Sequence, residues 1–234
     1  MGMIGGVGPS ATVLYYQQIM AGAHEKMGGD HYPELLIYSL DLGEVNVYFN
    51  HNDLDGLTDK LVSVGNWFEG AGCDFMFMAC NAMHMVYEKV CKRVNLPMLS
   101  IIEAVLEESR KRGLNRVGIM GTTFVMQSGL YRKAFEAAGI ECVEPDKTEQ
   151  GWIMEAILGD LQSPTIPEET ITRLLKNVEN LGSSGAEAVV LGCTDLPVAV
   201  TEENSPVTLL DTTRIHVHRI MDFAYDQGKA VLEE

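Results

Sequence analysis

The chain is short of what several functional classes require. It carries 17 Lys and Arg against 33 Asp and Glu, a formal net charge of −16. That deficit of positive charge repels phosphate backbones and anionic lipid, so neither nucleic acid nor membrane is an expected partner. No apolar run approaches the roughly 20 residues that span a bilayer. The opening Met1-Gly2-Met3-Ile4-Gly5-Gly6 lacks the basic region and apolar stretch of a secretion signal, and a cytoplasmic location is expected. Low-complexity tracts are absent and charged residues make up 21%, which excludes a disordered chain. The five cysteines, at 73, 80, 91, 142 and 193, are odd in number and include no CxxC pair. Reduced thiols are expected rather than a disulfide framework. No His, Cys and acid grouping has metal-ligand spacing, so no metal is expected.

What is present is a chain of 234 residues, 46% of them hydrophobic, enough for one large domain or two small ones. Short apolar runs alternate with amphipathic segments. The strand candidates are Met3–Gly5, Leu35–Leu40, Asp74–Ala79, Arg116–Met120 and Ala188–Leu191. The helix candidates are about 10–27, 54–71, 82–94, 101–112, 126–138, 149–160, 167–183 and 213–228. Gly113, Gly139 and Gly182 stand where a glycine ends a helix. Alternating β and α units with nearly continuous apolar strands predict an α/β fold with parallel sheets covered on both faces.

An internal repeat is the more informative signal. Gly72-Cys73-Asp74-Phe75-Met76-Phe77-Met78-Ala79-Cys80-Asn81 matches Gly185-Ala186-Glu187-Ala188-Val189-Val190-Leu191-Gly192-Cys193-Thr194 in order, at an offset of 113. Gly2-Met3-Ile4-Gly5 matches Gly118-Ile119-Met120-Gly121 at an offset of 116, and Pro97 matches Pro206 at 109. Two copies of one α/β unit are predicted, residues 1–98 plus 212–234 and residues 99–211, related by a pseudo-two-fold axis.

In an open parallel sheet, ligands bind beyond the carboxyl ends of the strands. Cys80 and Cys193 each follow such a strand and precede a predicted helix start, where N–H groups favour a thiolate. Pseudo-symmetry would set one thiol on each side of a shared cleft. Inverting a stereocentre by proton exchange needs removal from one face and return to the other, which a thiolate and a thiol can share. The expected ligand is a small amino acid or related carboxylate.

Ile4-Gly5-Gly6-Val7-Gly8-Pro9, Cys80-Asn81-Ala82-Met83-His84, Leu191-Gly192-Cys193-Thr194-Asp195 and Gly121-Thr122-Thr123 with Tyr131 together resemble the aspartate/glutamate racemase family. The resemblance runs along essentially the whole chain. It implies two Rossmann-like domains with the active site in the cleft between them, a homodimer, no cofactor, and Cys80 and Cys193 as acid and base. Carried over residue by residue, it puts Asn81, Ala82, Met83, Thr123 and Thr194 around the α-carboxylate and ammonium, with Gly8 on the floor. The family's basic residue after the second strand has no counterpart in Val47-Tyr48-Phe49-Asn50-His51-Asn52. Asn50 and His51 are the candidates for contacting the substrate side chain, whose identity stays open.

Other readings stand beside these. Gly6-Val7-Gly8-Pro9-Ser10-Ala11 also fits a dinucleotide fingerprint, though the expected acid about 20 positions on is misplaced. His84, four after Cys80, either tunes the thiol or packs its helix. Asp195 either bonds a thiol, orients a substrate ammonium, or is a plain acid at a helix N-terminus. His216 and His218 are read as structural, and Cys73, Cys91 and Cys142 as packing residues. Competing functions are a same-fold dicarboxylate cis–trans isomerase or decarboxylase, and a non-catalytic small-molecule or nucleotide-binding module.

Overall fold

A computed structural model describes residues 1–28 and 30–232. The chain divides into two compact units, Met1–Ile101 with the chain from His216 onward, and Ile102–Ile215. The first unit contains β1 (Gly2–Gly5), α1 (Pro9–Met27), β2 (Leu36–Ser39), α2 (Leu42–Asn50), α3 (Leu54–Gly70), β3 (Met76–Met78), a 3-10 helix Ala82–Val86, α4 (Tyr87–Cys91) and β4 (Met98–Leu99). Helix α5 (Ile101–Lys111) carries the chain onward. The second unit contains β5 (Arg116–Gly121), α6 (Thr123–Gln127), α7 (Leu130–Ala137), β6 (Glu141–Val143), α8 (Lys147–Leu158), α9 (Glu168–Ser183), β7 (Ala188–Gly192) and β8 (Thr208–Asp211). Two more 3-10 helices, Asp160–Gln162 and Leu196–Val198, lie within it, and α10 (Thr212–Leu232) closes the described chain.

Each unit has one parallel four-stranded sheet, ordered β2-β1-β3-β4 in the first and β6-β5-β7-β8 in the second. The repeat read from the sequence is borne out down to strand register. Gly2 pairs with Met76 and Ile4 with Met78, while Gly118 pairs with Val189 and Met120 with Leu191. The two-proline landmark needs one correction. Met98 pairs with Met76 and Leu209 with Val189, so Thr208, not Pro206, occupies the place of Pro97. The first core gathers Met3, Phe77, Tyr15, Ile19 and Ile220; the second gathers Met120, Val189, Leu191, Leu174 and Val178. These are the inward faces of buried strands and of the helices that cover them.

Local chemistry sets the element ends. Asp53 caps α3 through Gly56 N, and Asp146 caps α8 through Thr148 N and Glu149 N. The predicted helix 126–138 is two helices, because Gly129 takes a left-handed φ of 68° between α6 and α7. The predicted helix 82–94 is a 3-10 turn followed by the short α4. Backbone N–H of His84 bonds Asn81 O at 3.0 Å, while the His84 ring takes the Cys80 carbonyl that an α-helical bond would use. Helix α2 is absent from the helix candidates: only Val45 and Phe49 along it are buried, too few to set a period. Strands β4, β6 and β8, of two, three and four residues, are edge strands with no counterpart among the strand candidates.

Gly113 and Gly139 end helices at φ 69° and 80°, as read, but Gly182 lies inside α9 and Gly185, at φ 89°, follows the helix end. A Cβ on Gly182 would stand 2.6 Å from Val207 Cγ2, so close packing explains this glycine. Gly182→Ala should therefore lower stability by about 1–2 kcal/mol despite alanine's better helix propensity. Gly151 in α8 has nothing within 4 Å of a built Cβ. Gly151→Ala should raise stability by about 0.5–1 kcal/mol. Urea midpoints moving in opposite directions for the two variants check this.

Candidate active site

Within each sheet the chain leaves its first strand to one side and returns to the other, so the first and third strands lie together at a switch point. Beyond the carboxyl ends of such a pair a crevice opens for ligands. In the first unit β1 runs out into Gly6–Gly8 and β3 into Ala79–Asn81, with Ala79 N bonded to Ile4 O at 2.9 Å. Gly6 has φ 90° and a Cβ there would lie 2.2 Å from Leu40 O, so only glycine fits beside β2's exit. Its N–H donates to Thr12 Oγ1 at 2.8 Å. Gly8 precedes α1, and Pro9 supplies no N–H at the helix start. That turn has given up donors that a dinucleotide pyrophosphate would need.

Cys80 is half-buried at the end of β3, and Asn81, Ala82 and Met83 after it are buried. Met83 is fully enclosed. His84 Nδ1 lies 2.9 Å from Cys80 O, and its Nε2 accepts from Ile101 N at 3.1 Å. The ring stacks on Tyr87 at 5.5 Å, and Tyr87 donates to Met98 O at 2.7 Å. His216 meets the His84 ring edge-on at 6.3 Å and lies between Tyr15 OH, 2.9 Å from Nδ1, and Leu99 O, 3.3 Å from Nε2. Burial pushes the pKa of His84 down to about 4 and that of His216 to about 3.

In the second unit Cys193 is half-buried after β7, with Thr194 buried beside it. The Cys193 thiol lies 3.8 Å from Asp195 Oδ2, and the Asp195 side chain caps no N–H of the following 3-10 helix. The thiol-bonding reading of Asp195 is thus the one the geometry supports. Thr123 opens α6 after β5, preceded by Thr122, which caps Val125 N. Two supporting residues went unread in the sequence. Thr212 Oγ1 donates to Leu191 O at 2.9 Å, and the buried Tyr131 hydroxyl pairs with Thr212. Tyr131 was seen only as a landmark, and nothing in the Thr212-Thr213 dipeptide marks it.

The sequence candidates therefore gather at the two switch points. Gly8, Cys80, Asn81, Ala82 and Met83 share the first, and Thr123, Cys193, Thr194 and Asp195 the second. Asn50 does not sit on a strand-end turn; it is the exposed last residue of α2, and His51 after it turns Nδ1 onto Val47 O at 2.9 Å. One expectation needs correction. The elements after the two cysteines are 3-10 helices of five and three residues, too short for a sizeable macrodipole to stabilise a thiolate. Among the described residues no group of three or more His, Cys, Asp or Glu is placed to hold a metal ion. No described helix is long and apolar enough to cross a membrane.

The family model for Asp/Glu/Hydantoin racemase matches residues 4–220. The chain belongs to this racemase family. It is 24% identical over 217 residues to the broad specificity amino-acid racemase RacX of Bacillus subtilis, covering 91% of this chain and 92% of that one. It is 26% identical to a glutamate racemase of Aquifex aeolicus over 72% of this chain and 65% of that protein. Among solved structures, an aspartate racemase homologue from Pyrococcus horikoshii OT3 is 32% identical, with a TM-score of 0.84 over 96% of this chain and 98% of that one. Racemase-family membership, α/β class and the twin parallel sheets are thus as the sequence read them.

The buried imidazoles of this racemase-family chain carry a pH signature. Both are neutral when folded and titrate near 6.5 when unfolded. Between pH 6.5 and about 4 the unfolded chain binds more protons, so this stability is complete above 6.5 and declines as pH falls through that window. At pH 5 the loss should be about 2 kcal/mol per ring. Urea midpoints at pH 7 and pH 5 test this, and His216→Phe should flatten the slope.

Proposed function

We propose that this chain is a cofactor-independent amino-acid racemase in which Cys80 and Cys193 are the two acid/base groups. One thiolate removes the α-proton and the other thiol returns a proton to the opposite face, leaving the two sulfurs with exchanged protonation states. Each unit presents its cysteine at its own switch point. Asn81, Thr123, Thr194, Gly8 and the backbone of Ala82 and Met83 would hold the α-carboxylate and ammonium, which acidifies the α-carbon and stabilises the carbanion.

One observation carries this reading. A cysteine stands in the same place after the third strand of two copies of one parallel unit, in equivalent register. Duplicated placement suits a reaction whose two half-steps are the same chemistry on opposite faces. It has no such rationale for a nucleophile that needs one thiol, or for a binding module that needs none. Membership of the racemase family supports the same conclusion. The side chain accepted is not fixed by a cation after β2. Lys60 of α3 is held by both oxygens of Glu44, at 3.0 and 2.9 Å, and the segment from Val47 to Asn52 has no Lys or Arg. An amino acid with a neutral side chain fits that surrounding better than a dicarboxylate.

Single enantiomers from a panel of amino acids, incubated in D₂O, should gain α-deuterium and lose optical rotation. Cys80→Ser and Cys193→Ser should each slow racemisation by about a hundredfold or more, since a serine hydroxyl is too weak an acid to exchange the proton. Retention of full exchange in both variants would falsify the proposal.

A further inference from the structure

The geometry points to His84 as a positioning residue that acts on Cys80 through the backbone and never exchanges a proton with its thiol. This rests on the racemase reading only for what Cys80 does, not for how it is held. The partners of both ring nitrogens are main-chain groups of fixed polarity. Cys80 O can only accept, so Nδ1 carries the hydrogen; Ile101 N–H can only donate, so Nε2 is bare. One neutral tautomer satisfies both. Protonation would set an N–H against the Ile101 N–H, in a place where the ring is 3% exposed. No ring nitrogen is left over for a thiol.

The strut joins two places that also meet through the β3–β4 strand pair and the Tyr87–Met98 hydrogen bond. One end holds the turn after β3, and the other holds the first residue of α5, which follows β4. The ring cannot tip, being stacked on Tyr87 and flanked by His216, itself held between Tyr15 OH and Leu99 O. The second unit does the same job with other chemistry. By the offset of 113, His84 corresponds to Pro197. There Thr212, the first residue of α10, sends its hydroxyl to Leu191 O, the last residue before the Gly192-Cys193 turn. The two thiols are thus alike in placement and unlike in support, and a change at His84 should reach Cys80 alone.

Two substitutions separate the ends of the strut. The amide nitrogen of His84→Asn can replace Nδ1 toward Cys80 O, whereas the amide oxygen of His84→Gln can replace Nε2 toward Ile101 N. The readout is alkylation of Cys80 and Cys193 by iodoacetamide across pH, followed residue by residue by mass spectrometry, with Cys193 as internal control. His84→Asn should keep the midpoint of the Cys80 profile within about 0.3 units of wild type, and His84→Gln should change the Cys80 rate while Cys193 stays put. In turnover, His84→Gln should lower kcat about tenfold or more with KM little changed, and His84→Asn should recover most of it. A Cys80 midpoint moved by about a unit or more in His84→Asn would show that the imidazole is an acid/base partner and overturn the proposal. Equal losses in both variants, or parallel changes at Cys193, would also overturn it. If His84→Gln does not fold, the Asn profile decides alone. Because alkylation needs no substrate, an inactive wild-type protein would count against the racemase reading and not against this one.

Discussion

Main-chain hydrogen bonds between neighbouring parallel strands carry the whole arrangement. Bonding β1 to β3 and β5 to β7 in equivalent registers makes the height of each cysteine above its sheet a consequence of strand pairing. A slip of one residue would turn Cys80 or Cys193 to the other side of its sheet and reverse every buried side chain of the strand with it. Burial on both faces resists that slip: Met76, Phe77 and Met78 of β3, and Val189 and Val190 of β7, are fully enclosed. The stability of the two cores and the placement of the two thiols are therefore one constraint.

The second feature is that duplication of the frame does not extend to its supports. In the first unit a buried imidazole ties the cysteine's own carbonyl to the next helix. In the second, a threonine hydroxyl backed by Tyr131 ties the strand's last apolar residue, and Asp195 lies beside the thiol itself. Frame symmetry suits a reaction with two mirror-related proton transfers.

Much of this was legible in the sequence because it is written in patterns that repeat. Four of the five strands recognised, β1, β3, β5 and β7, are largely buried apolar runs at the centre of their sheets, and the fifth, β2, is a mostly exposed edge strand. Both cysteines stood out because each is the ninth residue of the same ten-residue pattern. What escaped was short or without period. Strand β4 has two residues, and α2 buries only two side chains. Gly182 was misread because a glycine forced by Val207's methyl looks the same in sequence as one forced by a left-handed φ.

By itself the sequence determined the fold class and the duplication, and it singled out Cys80 and Cys193 among five cysteines as the repeated pair, because strand hydrophobicity and internal repetition are local properties that need no coordinates. The tertiary structure alone decided what stands behind those cysteines. That His84 would face two main-chain groups, that Thr212 would reach Leu191, and that Asp195 would approach a thiol rather than cap a helix depend on residues 17 and 21 positions apart, or on a turn whose path is set by its surroundings. A hydrogen bond is chosen by geometry within a few tenths of an ångström. Composition and spacing do not carry that information; packing does.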